Sequence, residues 1–227
     1  MTLLSTTYFG PVQWYQKLYR SEHVLLEQHE SFIKQTYRNR CVIATANGTQ
    51  TLSVPVEHGT TLNIQQTSVC GGSLIKPGLR VCRHRRQTIR DIRISNHGNW
   101  RHLHWNALLA AYGESPFFDY YIDDLRPFFE RSWDFLFDLN LEITHKMCEL
   151  LDIQPQISLT KEYEKALQVG EGVRDYRDVI RPKHPLQDDD FQPRPYYQVF
   201  RHRHGFLPNM SILDLLFNMG NEAILYL

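Results

Sequence analysis

The sequence predicts a mixed α/β fold in a single compact domain, and three observations predict it. First, 42% apolar and 12% aromatic residues supply a continuous core for 227 residues, and no linker-like stretch divides the chain. Second, Cys41 to Ala46 and Thr49 to Val56 are β-type runs flanking Asn47-Gly48. Asn-Gly favours positive φ at both positions of a two-residue turn, so residues 41–56 read as a β-hairpin. Third, apolar residues recur at helical spacing over 99–112, 132–151 and 211–219. The expected architecture is a small sheet that includes the hairpin, packed by these helices.

The remaining elements follow in chain order. Pro11 to Arg20 reads as a short helix after a Gly-Pro turn, and His23 to Glu27 as a short apolar strand. Residues 65–90 carry Gly71-Gly72, Pro77-Gly78 and a run of arginines, and read as a basic insertion loop: a phosphate-binding arm or a solvated excursion. A strand around Asp91 to Ile94 closes it. Asn99 or Asn96 caps the helix that Gly113 ends, Pro116 to Glu130 continues as helix, and Ser132 caps the long helix to Leu151. Residues 161–169 form a shorter helix, 170–195 a long Pro-rich loop, and Tyr196 to Arg201 a strand. Ser211 and Asp214 give the last helix a capping-box-like start, and Gly220 stops it.

Composition narrows the function classes. With 25 basic and 25 acidic residues the formal charge is zero, so nothing global points to nucleic acid or a charged membrane surface. No apolar run reaches the length of a membrane span. The first ten residues lack a basic n-region and a long apolar h-region, which leads to the expectation of a cytoplasmic protein with reduced thiols at Cys41, Cys70, Cys82 and Cys148. Cys70, Cys82 and His84 lack paired zinc spacing, so no metal is read. No phosphate-binding glycine loop or dinucleotide fingerprint occurs, so no cofactor is read either. The oligomeric state has no sequence signal.

Several polar residues interrupt otherwise apolar patterns. His104 falls in the middle of the face made by Trp100, Leu103, Ala107, Leu108 and Ala111. It is either a positioned base, acid or ligand, or a core histidine bonded to a backbone carbonyl. Asn140 lies on the apolar face of the long helix and bridges to another element. Arg38 and Arg40 alternate with Asn39, so in an extended chain both guanidiniums face one side and suit a carboxylate or phosphate; paired surface salt bridges are the alternative. Asp214 and Asn218 share a face of a dense apolar helix, where a carboxylate needs a partner such as Arg38, Arg40 or His104, unless Asp214 simply caps the helix.

Taken together, these stretches resemble the WbqC-like protein family. The carriers are Tyr8-Phe9-Gly10-Pro11 through Lys17, Tyr37-Arg38-Asn39-Arg40, and the hairpin ending Leu52-Ser53-Val54-Pro55-Val56. Asn99-Trp100-Arg101-His102-Leu103-His104-Trp105 follows, with Tyr112, Pro116, Phe117 and Tyr120. The most specific stretch runs from Phe206-Leu207-Pro208-Asn209-Met210-Ser211 to Gly220. The chain departs from the family pattern at Gln28-His29, where many members carry paired aspartates, so His29 has to substitute for a carboxylate or the activity differs.

The resemblance implies a role in building or decorating a bacterial surface polysaccharide. It implies a transferase that adds an acyl or aminoacyl group to an amino sugar or nucleotide sugar, with an acyl carrier as a donor that avoids ATP. Under that expectation His104 is the base and Asp214 orients it. Arg38, Asn39, Arg40, Asn209, Ser211, His29 and Tyr8 line the substrate. The alternative is a non-catalytic nucleotide-sugar or glycan-binding protein, or an assembly factor. An open pocket and an acid beside His104 mark the enzyme; a histidine sealed by aromatic walls marks the binding protein.

Overall fold

The computed structural model describes residues 1–57, 87–165 and 172–227. Four short strands form an all-parallel sheet: β1 (Thr2–Ser5), β2 (Val24–Glu27), β5 (Ile157–Leu159) and β6 (Arg174–Asp175), in the order β5-β2-β1-β6. Thr2 pairs with Val24 on one side and with Arg174 on the other, which fixes the register. All four residues of β1 are buried, as befits a central parallel strand covered on both faces. Helix α1 (Val12–Arg20) crosses from β1 to β2 and buries Trp14, Tyr15 and Leu18.

The hairpin pairs β3 (Arg40–Thr45) with β4 (Gly48–Ser53) as a separate two-stranded ladder. Its turn differs from the expectation. Thr45 pairs with Gly48, so Ala46-Asn47 form the loop, and Gly48 alone has positive φ (103°). Asn47 stays at negative φ, and glycine absorbs the left-handed step where the chain re-enters the strand.

The helical layer comprises α2 (Trp100–Tyr112), α3 (Phe118–Leu125), α4 (Pro127–Glu130), α5 (Leu136–Leu150), α6 (Arg201–His204) and α7 (Ile212–Met219). Pro127 starts a new helix rather than continuing α3. The long helix begins at Leu136 with Phe135 in the cap position; Ser132 lies outside it. Residues 89–91 form a single 3-10 turn and 93–94 only isolated bridges, so the expected strand at 91–94 is absent. No helix occupies 161–165; residues 166–171 lie outside the described residues. Tyr196 to Arg201 is not a strand: the Gln198 carbonyl accepts from the Arg201 amide as the chain turns into α6. The basic segment lies largely outside the described residues, as do Cys70, Cys82 and His84, while Cys41 and Cys148 are buried free thiols. Among the described residues no helix is long and apolar enough to cross a membrane.

The Pro-rich segment contributes β6 and then a strap over α1. No residue from 181 to 195 is buried. Asp188 ties the strap down, accepting from Lys17 Nζ (2.9 Å) and Gln13 Nε2 (2.7 Å), with Lys17 also 4.8 Å from the Tyr176 ring centroid. A charged hydrogen bond is worth about 1.5–3 kcal/mol. Lys17→Met is therefore expected to raise the open population of the strap by about tenfold or more. The check is trypsin cleavage after Lys183, since Pro182 and Pro195 protect the neighbouring arginines. Cleavage at the wild-type rate would show that Asp188 does not latch the strap.

Candidate functional site

Polar side chains gather at and just beyond the carboxyl ends of the parallel strands: β1 runs into Ser5-Thr6-Thr7, β2 ends in Glu27, β5 is followed by Thr160, and β6, polar throughout, ends in Asp175 and is followed by Tyr176 and Arg177. Strands are added to both sides of β1, so the order reverses there, and such sheets bind ligands outside the carboxyl ends beside that reversal. A small cavity of about 10 Å³, room for about one water, lies at this place. Thr6 and Thr7 border it from β1, Tyr176 and Arg177 from β6, Trp14 from α1, and Arg38 from the turn before β3.

Two buried ion networks stand behind this cavity. Arg38, 3% exposed, donates through Nε to Glu30 Oε1 (2.7 Å) and through Nη2 to Glu30 Oε2 and to Ser5 Oγ (2.7 Å). Ser5 Oγ in turn donates to Glu30 Oε2 (3.2 Å). Arg177 clasps Asp175 with Nε and Nη2 and donates through Nη1 to Glu27 Oε2 (3.1 Å). Glu27 is fully buried and also accepts from Thr160 Oγ1, the His29 amide and the Glu164 amide. Replacing a buried ion pair with apolar side chains is often neutral or stabilising. Two such pairs at the sheet edge are therefore weak evidence for stability.

The expected centre around His104 is not assembled. His104 is 5% exposed and faces the Tyr8 hydroxyl, 2.9 Å from Nδ1; Trp100 packs edge-on at 5.2 Å between centroids. The ring also bonds the backbone of Ser53, and burial lowers its pKa to about 4. It is a neutral imidazole satisfied by two uncharged partners, and it borders neither the small cavity at the carboxyl ends of the strands nor the larger one at their amino ends.

Asp214 is fully buried on α7 and accepts from Tyr196 Oη (2.6 Å) and Gln198 Nε2 (2.7 Å), with Tyr112 adjacent; desolvation raises its pKa. No hydrogen bond links it to His104, Arg38 or Arg40. Nor does its side chain complete a capping box, because it is turned to these neutral donors; Ser211 alone caps, accepting from the Leu213 amide.

The other anticipated residues scatter. Residues 37–39 form a turn, not an extended chain, so the alternation that put Arg38 and Arg40 together does not operate. Arg40 is half-buried with Nε unpartnered among the described residues, and Asn39 donates to the Val54 carbonyl. Asn209 exchanges hydrogen bonds with Gln13 of α1, and Ser211 Oγ donates to the Phe9 carbonyl, so together they fasten the start of α7 to α1 and to the loop before it. His29 follows β2 and lends its amide to Glu27. Asn140 does bridge elements: its Nδ2 donates to the Arg38 carbonyl (2.8 Å), pinning the turn that presents Arg38.

Of the anticipated set, Arg38 alone borders the small cavity. Sequence reasoning missed Ser5, Thr7, Glu27, Glu30 and Arg177. Glu27 had a local signal, a carboxylate closing the apolar run His23 to Leu26. Arg177 had none.

A model of the WbqC-like protein family matches residues 6–76 and 78–226. The chain belongs to the WbqC-like protein family. The matched span takes in every residue of the small cavity except Ser5. This WbqC-like chain is also 27% identical over 216 residues to the uncharacterised protein Rv1507c of Mycobacterium tuberculosis (strain ATCC 25618 / H37Rv), covering 86% of this chain and 83% of that one. No solved structure matches it.

Proposed function

We propose that this WbqC-like protein is a transferase that adds an acyl or aminoacyl group to an amino sugar on a nucleotide carrier, in bacterial surface-polysaccharide biosynthesis. Its site is a cavity of about 510 Å³ bordered by Lys17, Arg20, Arg174, Tyr176 and Asp190. The family resemblance supplies the substrate class. The observation that carries the placement is the cavity's volume, which lies in the range of small-molecule sites, about 300–1,000 Å³. That cavity lies at the amino ends of the strands, beside Thr2, Ser21, Glu22 and Gly172, and only Tyr176 is common to it and the carboxyl edge; it is the space large enough for the nucleotide sugar. His104 has no part in this arrangement.

A second reading, non-catalytic binding of the same ligand, is favoured by one observation: the histidine is sealed against Tyr8 and Trp100. One experiment separates the readings. UDP-glucosamine at 100 times its Kd is expected to stabilise the protein by about 2.7 kcal/mol. Thiol release from acetyl-coenzyme A with amide formation on the sugar identifies the transferase. Binding without transfer from acyl or aminoacyl thioesters identifies the binding protein. Absence of binding removes both.

A further inference from the structure

We propose that the strap over α1 holds the cavity at the amino ends of the strands in an autoinhibited state. Asp188 and Asp190 occupy Lys17 and Arg174, the cations that take the diphosphate of an incoming ligand. The inference rests on that cavity being the ligand site and deepens the reading by naming the group bound there and the contact it replaces.

Lys17 and Arg174 both border the cavity, and each is paired with a strap carboxylate. Lys17 Nζ lies 2.9 Å from Asp188, with both side chains only 6% exposed. The same ammonium stands over the Tyr176 ring, 4.8 Å from its centroid. Tyr176 Oη lies 3.5 Å from Asp190 Oδ2, and Arg174 Nη1 donates to that oxygen (2.6 Å). The two ion pairs therefore meet on one tyrosine that itself borders the cavity. The Asp190 amide also donates to Asp188 Oδ1 (3.3 Å), which couples the two carboxylates in one short stretch of strap.

The charges explain why an anion exchanges with the strap. With the strap down, Asp188, Asp190 and Glu22 balance Lys17, Arg20 and Arg174. With it lifted, these three cations face Glu22 alone, and the cavity wall turns positive. A nucleotide sugar carries one negative charge on each of its two linked phosphates, so one diphosphate replaces both aspartates. The Arg174–Asp190 pair is exposed and gives way readily. The buried Lys17–Asp188 pair sets the cost of opening. When the binding-competent form is a minor fraction of the molecules, affinity falls by that fraction. Removing the charge of Asp188 therefore restores affinity, whereas removing Lys17 opens the strap without supplying a site.

The test measures the Kd of inorganic pyrophosphate and of UDP-glucosamine for the wild type, Asp188→Asn and Lys17→Met. It also measures trypsin cleavage after Lys183 with and without each ligand. Asp188→Asn keeps the size of the side chain and removes its charge. It is expected to be cut faster and to bind both ligands about tenfold tighter than the wild type. Lys17→Met is expected to be cut faster and to bind about tenfold more weakly. Saturating pyrophosphate is expected to speed cleavage of the wild type, because it displaces the strap. UDP-glucosamine bound equally by the wild type and Asp188→Asn, with cleavage unchanged by either ligand, overturns the autoinhibited pairing and leaves the amino-sugar reading intact. If pyrophosphate binds and speeds cleavage while UDP-glucosamine does not bind, the pairing stands and the amino-sugar reading falls. If neither ligand binds any of the three proteins, both fall.

Discussion

Arg38→Met is expected to destabilise the protein by about 3–5 kcal/mol, and Arg38→Met/Glu30→Met to recover most of that loss. The single variant leaves Glu30, 5% exposed, with only the Ser5 hydroxyl as donor. An uncompensated buried carboxylate must then either take up a proton or force the sheet edge open. The double variant removes both charges and fills similar volume with hydrocarbon, which is commonly neutral or better for stability. Urea unfolding of the three proteins measures the cycle. If the double variant is as unstable as the single one, Arg38 supports the fold through its stem packing rather than through Glu30.

The second large effect is acid destabilisation by His104. Its folded pKa of about 4 lies below the ordinary 6.5, because burial disfavours the imidazolium. Between those values the unfolded chain binds a proton at this position and the folded chain does not. Stability from this group is complete above pH 6.5 and is lost as pH falls to about 4. The shift corresponds to about 3 kcal/mol at about 1.36 kcal/mol per unit. Asp214 has the opposite sign, since its raised pKa favours the folded state as pH falls. That contribution is common to wild type and His104→Asn and cancels in their difference. The expected result is a stability loss between pH 7 and pH 4 that is about 3 kcal/mol greater in wild type than in His104→Asn. Equal slopes would place the ring in contact with water or a carboxylate.

Burial is legible in the sequence at His104, and chemistry is not. A histidine inside an apolar helix face is a conspicuous feature, and its burial follows from that pattern. Its chemistry depends on what meets it across the fold. Tyr8 is 96 residues away, and as an uncharged partner it turns a candidate base into a neutral core group. Asp214 is equally conspicuous, yet its donors Tyr196 and Gln198 come from a segment whose expected strand does not form.

What the sequence determined by itself was local. The hairpin at 40–53, its turn shifted by one residue from the one expected, the strand at 24–27, and the helices at 12–20, 100–112 and 212–219 follow from local turn residues and from periods of two and 3.6, which act over a few residues. The central strand β1 escaped because a four-residue strand buried on both faces carries no alternation. The tertiary structure alone decided the ion networks at the carboxyl ends of the strands. Glu27 meets Arg177 across 150 residues, at the end of a two-residue strand too short to carry a pattern. An ion pair between distant segments is chosen by where the parallel sheet brings its carboxyl ends together, and that juxtaposition has no period to read.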